Sequence, residues 1–305
     1  MDCNCAPDKA LYQLNGISNG MLEKTARHPC YTRDAHHSYA RMHLPVAPRC
    51  NISCNYCSRK FDCLHESRPG VTSEVLTPQE ALARFKMVRE RIANLSVVGI
   101  AGPGDALADW ENTRQAVELI RRADPGVIFC LSTNGLMLPH RWREIIDLGV
   151  THVTVTVNCL DQETGEKIYR HVSYGGRTYT GAEGTRILTA NQQSGIESLA
   201  REGVLVKVNI VMINGVNDRQ IPDIVRRVKD LGAFVTNIMP LIPAPGSAFA
   251  GYPETSVKEL SKMRSACQAH LRQMFHCRQC RADAIGLLGD DRSEDFRKAS
   301  AKEAV

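Results

Sequence analysis

Several features that would send a chain to a membrane, out of the cell or onto a nucleic acid are missing from this sequence. No run of about 18 apolar residues occurs, so no segment reads as a membrane-spanning helix. The first residues, Met1-Asp2-Cys3-Asn4-Cys5, lack the basic region and apolar stretch of a secretory signal. Lys and Arg give a net charge of only +5 over 305 residues and are scattered along helical segments, so no nucleic-acid partner is implied. No long Ser/Pro/Gly linker interrupts residues 77 to 275, which argues against a boundary inside that stretch, and no repeat or low-complexity tract stands out. The expectation is a soluble, cytoplasmic protein built around one barrel-like domain, with a core of the size that 43% hydrophobic content allows.

What the sequence does have is cysteine, twelve in all. Disulfides are rare in reducing cytosol, so closely spaced cysteines in such a chain read as metal ligands or redox groups. Cys159, isolated in an apolar stretch, reads as a small core hydrophobe instead. Cys3 and Cys5 carry no reading either way.

Apolar and β-branched runs suit parallel strands covered on both faces at Ser96 to Ala101, Val127 to Ser132, His152 to Asn158, Leu205 to Ile213 and Phe234 to Ile242, with a first short strand over residues 44–50. Helix-period segments lie between them. Thr77-Pro78-Gln79-Glu80 and the pair Ser256 and Glu259 have the spacing of capping boxes. Strand followed by helix, about six times, predicts an α/β fold: a partial (β/α)6 TIM-like barrel with right-handed crossovers and its chemistry at the C-terminal strand ends. Those ends carry Cys50, then Gly102, Gly104 and Asp105, then Ser132 and Asn134, then Asn158. Lys207 and Asn209 alternate with apolar neighbours on the fifth strand and so face one side, which in a barrel is the lumen. The bland alternative for all of these is ordinary turn residues and an exposed strand face.

Cys50-Asn51-Ile52-Ser53-Cys54-Asn55-Tyr56-Cys57 has the spacing C-x3-C-x2-C. Three thiolates on a short loop can hold three irons of a 4Fe-4S cluster and leave the fourth open. Zinc is the competing reading, but zinc sites usually pair two C-x2-C knuckles, and no second knuckle lies nearby. With its aromatic before the last cysteine, the motif resembles the signature of the radical S-adenosylmethionine (SAM) superfamily. That resemblance implies a cluster whose open iron chelates SAM and cleaves it to a 5′-deoxyadenosyl radical. It places Tyr56 beside the adenine and puts Gly102-Pro103-Gly104-Asp105 where the superfamily has Gly-Gly-Glu, a departure that bears on Asp105.

Three further stretches resemble the NifB family of nitrogenase-cofactor assembly enzymes. They are His28-Pro29-Cys30-Tyr31 with Ala35-His36-His37 and Ala40-Arg41-Met42-His43, then Ser58 through Val71, then Cys277-Arg278-Gln279-Cys280 through Gly289. The resemblance implies three 4Fe-4S clusters: the SAM cluster and two substrate clusters, K1 at Cys30, His43 and Cys130, and K2 at Cys267, Cys277 and Cys280. It further implies methyl transfer from SAM to K2, hydrogen abstraction by the radical, and fusion of K1 and K2 with an added sulfur into an eight-iron, carbide-centred product. Cys63 and Glu66 are the candidates for proton handling and transient coordination, being three residues apart and able to share a helical face. The implied partners are cluster donor and product carrier or scaffold proteins and an electron donor such as ferredoxin or flavodoxin. The expected division is an arm over residues 1–43, the barrel over 44–250, and a helical C-terminal segment over 251–305 whose polar tail leaves no room for a NifX-like carrier domain. Two rivals are a radical SAM enzyme of peptide maturation whose extra clusters relay electrons, and a non-catalytic cluster scaffold.

Overall fold

Six parallel strands, joined in sequence by five helical crossovers, organise the computed structural model, which describes residues 19–32, 34–63 and 73–297. Two short helices, α1 (Asn19–Ala26) and α2 (Ala35–Ser38), precede strand β1 (Ala40–His43). Then come β2 (Ile52–Cys54), α3 (Pro78–Arg91), β3 (Leu95–Ile100), α4 (Trp110–Ala123), β4 (Ile128–Thr133), α5 (Leu138–Asp147) and β5 (His152–Thr156). The chain continues through α6 (Gln162–Ile168), β6 (Tyr169–Tyr174), β7 (Arg177–Tyr179), α7 (Gly181–Arg201), β8 (Leu205–Met212), α8 (Ile221–Asp230), β9 (Val235–Pro240) and α9 (Val257–Gln268). It closes with β10 (Ile285–Leu287) and β11 (Asp290–Asp291).

The main sheet has the order β11-β10-β1-β3-β4-β5-β8-β9, with β1, β3, β4, β5, β8 and β9 parallel. This is the partial (β/α)6 barrel that the alternation of strand and helix predicts. The strands read as continuous apolar runs because helices cover their outer faces and a filled lumen covers the inner ones, and every residue of β3, β5 and β8 is buried. Both expected capping boxes form. Thr77 Oγ1 accepts from the Glu80 N–H at 3.2 Å while Glu80 accepts from the Thr77 N–H, and Ser256 and Glu259 do the same at the start of α9.

The structure corrects the expected strands and boundaries in three ways. The first strand is Ala40–His43, not residues 44–50, because Pro45 and Pro48 have no N–H to give a ladder. That strand lies inside the stretch assigned to the N-terminal arm. Among the described residues of the C-terminal segment, 251–297, the helical reading holds only for α9; the chain after it adds β10 antiparallel to β1 and a short 3-10 turn over Ser293–Phe296. A separate sheet, β2-β6-β7, which the sequence did not announce, seats the end of the cysteine loop.

Residues 272–287 run from one edge of the open barrel to the other. The Thr236 N–H on β9 donates to the Arg272 carbonyl at 2.9 Å, and Met274 N–H returns a bond to Thr236 at 2.8 Å. Beyond Cys280 the chain pairs with β1, Arg41 against Gly286 and Met42 against Ile285. The strap between these ties carries Cys277 and Cys280 across the opening.

Candidate functional site

The chain leaves β1 through residues 44–50 beside the loop that follows β3. Ala47 donates to the Gly102 carbonyl at 3.2 Å, Gly104 to Ala47 at 2.6 Å, and Asp105 to Arg49 at 2.7 Å. A side chain at Gly104 would collide with the Arg49 carbonyl, which explains glycine there. The Arg49 guanidinium and N–H both bind the buried carboxylate of Asp109. These bonds fix the position of Cys50. Cys54 ends β2, and Cys57 follows on a turn whose N–H reaches the Cys54 carbonyl at 3.1 Å. Cys63 is drawn to the same place by its N–H bond to Pro103, 2.9 Å long. Together Cys50, Cys54, Cys57, Cys63 and Arg59 line a hollow of about 330 Å³.

Burial pushes the Cys50 and Cys54 thiols well above their ordinary pKa, with neighbouring carboxylate and thiol groups adding to the effect. A neutral hollow therefore does not keep them ionised; bound iron, a local positive charge, would. Among the described residues no three His, Cys, Asp or Glu side chains close on one point as a single ion requires, whereas the triad thiols ring a hollow. Donor type and arrangement fit a cubane held at three corners.

Tyr56 is fully buried, and its hydroxyl accepts from Asn158 Nδ2 at 2.8 Å. Asn158 is itself fixed by the Val211 N–H at 2.9 Å and by Asn217. Asp105 turns inward: its carboxylate accepts from the N–H groups of Leu107, Ala108 and Asn134 and from the Thr133 hydroxyl. In this structure it braces the end of β4. Asn134, which it holds, reaches Cys50 Sγ at 3.7 Å and Asn51 at 2.6 Å.

A second hollow, also about 330 Å³, is lined by Cys30, His43, Cys130, Ser132, Lys207 and neighbours. Hydrogen-bonded register puts Ser132, Thr154 and Lys207 in one row across three strands, all facing the lumen. Thus Ser132 and Lys207 belong to this lower hollow and not to the triad. Asn209, one step higher, accepts from Asn237 at 3.1 Å. The His43 Nδ1 lies 3.0 Å from the Arg281 carbonyl, an oxygen that can only accept, so Nδ1 carries the proton and Nε2 keeps a lone pair for a ligand. Burial lowers the His43 pKa to about 4, which keeps the ring neutral. One edge of the imidazole lies against Gly99, where an added methyl would meet Cδ2 at 2.9 Å.

The Cys30 thiol is pushed to about 12, chiefly by burial; Lys207 opposes the rise, and the thiols of Cys280, Cys130 and Cys277 add to it. Cys277 accepts from Asn237 Nδ2 at 3.3 Å and Cys280 from Arg41 at 3.4 Å. The strap thereby brings Cys277 and Cys280 to Cys30 and Cys130 around one ammonium. It does not bring Cys267, which lies fully buried on α9 against Met263, 3.9 Å away, in the apolar core. Cys159 is likewise in the core, as its surroundings predict. Glu66 lies outside the described residues. The alternation that singles out Lys207 and Asn209 also marks Thr154 and Asn237, residues that the sequence reading leaves out.

A barrel of this kind with a three-cysteine loop above its first strand defines a radical SAM enzyme. The family model described as the radical SAM superfamily matches residues 44–228, and the chain belongs to that superfamily. Within it the chain is 49% identical to the FeMo cofactor biosynthesis protein NifB of Klebsiella pneumoniae, over 99% of this chain and 64% of that protein. It is 51% identical to the NifB of Frankia alni, over 90% of this chain and 56% of that protein, so it spans between half and two thirds of these relatives' lengths. In fold it is similar to Streptococcus suis SuiB bound to S-adenosylmethionine, with a TM-score of 0.53 and 11% identity over 90% of this chain and 59% of SuiB. Among the described residues no helix is long and apolar enough to cross a membrane.

Proposed function

We propose that this chain takes part in FeMo cofactor biosynthesis as a carbide synthase, fusing two 4Fe-4S substrate clusters with a carbon from SAM and an added sulfur into an eight-iron precursor. The observation that carries the reading is the single lumen with thiols at two levels. Cys130 and Ser132 share one face of β4, and Asn134 follows directly after the strand; Asn134 touches Cys50 of the triad, and Cys130 lines the lower hollow four residues, about 13 Å, below. The resident cluster, held by Cys50, Cys54 and Cys57, would chelate SAM at its open iron and supply the electron that cleaves the sulfonium.

The protein's own residues do the rest. Tyr56, fully buried and locked by Asn158, anchors the triad loop beside the place proposed for the adenine. The Gly102–Asp105 loop and Asn134 fix Cys50, and Asp105 serves as their brace. Cys30, His43 and Cys130 hold the K1 substrate. Cys277 and Cys280 present thiols to K2 across from it, and Cys267 joins them only if the last turn of α9 opens. Cys63, at the rim of the triad hollow, is placed to bind or release a proton or an iron as the substrates join, and Glu66 is its proposed partner. A ferredoxin or flavodoxin would supply the electron, and carrier proteins would take the product.

Protein-bound iron counted before and after anaerobic turnover with SAM and reductant tests this. Iron should leave with the product; full formation of 5′-deoxyadenosine with unchanged iron would overturn the reading in favour of electron-relay clusters. Absence of 5′-deoxyadenosine from an iron-replete sample would leave only a scaffold.

A further inference from the structure

Three polar atoms lining the lower hollow are buried and have no partner: His28 Nε2, Arg41 Nε and Thr154 Oγ1. Their residues are 1%, 2% and 1% exposed. Buried polar groups are paired nine times in ten, and leaving one unpaired costs about 1–3 kcal/mol, so three around one hollow call for a ligand.

All three can donate. His28 Nδ1 already accepts from the Cys30 N–H at 3.2 Å, so the ring proton sits on Nε2. The other nitrogens of Arg41 are spent on the carbonyls of Gly286 and Leu287 and on Cys280, which fixes the guanidinium and leaves its Nε–H. Thr154 stands in the row between Ser132 and Lys207, beside the ammonium of the latter. Among the described residues that line the hollow there is no carboxylate. Three unspent buried donors on one wall describe the complement of an anion, and thiols and an imidazole on the same wall describe a metal.

We infer that His28, Arg41, Thr154 and Lys207 grip the sulfide faces of the anionic iron–sulfur cluster bound by Cys30, His43 and Cys130. They position that substrate and tune it, since donors aimed at a cluster's sulfides stabilise its reduced form. The inference rests on the reading of this hollow as the K1 site.

The test uses the full chain, cluster-free and after anaerobic loading with iron and sulfide, as wild type, Thr154→Val, Thr154→Ser, His28→Leu and Cys130→Ala. Thr154→Val should melt no lower than wild type when cluster-free, because its hydroxyl has no protein partner to lose. When loaded it should keep its iron but show a more negative midpoint potential and an altered electron paramagnetic resonance signal; Thr154→Ser should restore both, and His28→Leu should shift the potential in the same direction. A cluster-free Thr154→Val that melts lower, or loaded Thr154→Val and His28→Leu with the potential and signal of wild type, would overturn the donor set. Iron undiminished in Cys130→Ala would instead overturn the K1 reading itself, so the two failures are distinct.

Discussion

His43 shows how its surroundings prepare an imidazole for the ligand role proposed for it. The carbonyl of Arg281 selects the tautomer, burial holds the ring neutral, and the missing side chain of Gly99 leaves room for the imidazole edge. Gly99→Ala should therefore push the ring off its place and cut the iron bound at the lower site, while melting within a few degrees of wild type; iron analysis with thermal unfolding checks both halves. Asp105 makes the contrasting case. Its two oxygens serve only N–H and O–H donors, so Asp105→Asn places an amide N–H against at least one of them and should cost about 1–3 kcal/mol. Denaturant unfolding measures that, and loosening of Cys50 should appear as lower iron occupancy at the triad. At this scale the triad was legible because three cysteines within eight residues leave few other readings. Lys207 and Asn209 were legible as lumen residues from alternation, but not which level of the lumen they serve. The grouping of Cys267 with Cys277 and Cys280 followed spacing along the chain, and spacing does not say which face of α9 a thiol takes.

Local signals decided the elements well where they were chemical. The capping boxes at Thr77 and Ser256 could be read in advance because both partners lie within one turn; Thr77→Ala should lower stability by about 1 kcal/mol, measurable by urea titration. The first strand was placed a few residues late because its apolar continuation, residues 44–47, looks like strand until the two prolines are counted as missing donors. The strap over residues 272–287 had no local signature at all, since its pairing partners are β9 and β1, distant in sequence. Gly286 has φ of +114°, and a methyl there would run into the Asp290 carbonyl. Gly286→Ala should unseat β10 from β1, weaken the hold of Arg281 on His43, and reduce iron at the lower site more than at the triad, read as a selective loss of one cluster signal.

The whole molecule is organised around a lumen closed below by rings. The rings of His28, Tyr31 and His152 pack edge to face or tilted with centroids 4.6–4.7 Å apart, and the Tyr31 hydroxyl donates to the Leu205 carbonyl at 3.2 Å. Burial lowers the His152 pKa from 6.5 to about 3. The unfolded chain therefore takes up this proton first: the stabilisation is complete above about pH 6.5 and is lost as pH falls toward 3, on the order of 5 kcal/mol in all. Unfolding free energies of the cluster-free protein between pH 7 and 4 should decline along that course, and His152→Gln should flatten the decline. The barrel class was legible because strand and helix alternate throughout; the second sheet and the strap were not, because they depend on contacts between parts of the chain far apart.

The strap also sets an order of events in the cell. A ribosome releases Cys30, His43 and Cys130 long before Cys277 and Cys280, and Arg281, whose carbonyl orients His43, comes later still. A nascent chain thus carries half-built pockets, and metal delivered during translation would meet loose thiols with no seat. On the function proposed for these hollows, a cluster could be seated only after residues 272–287 have been made and have paired with β9 and β1.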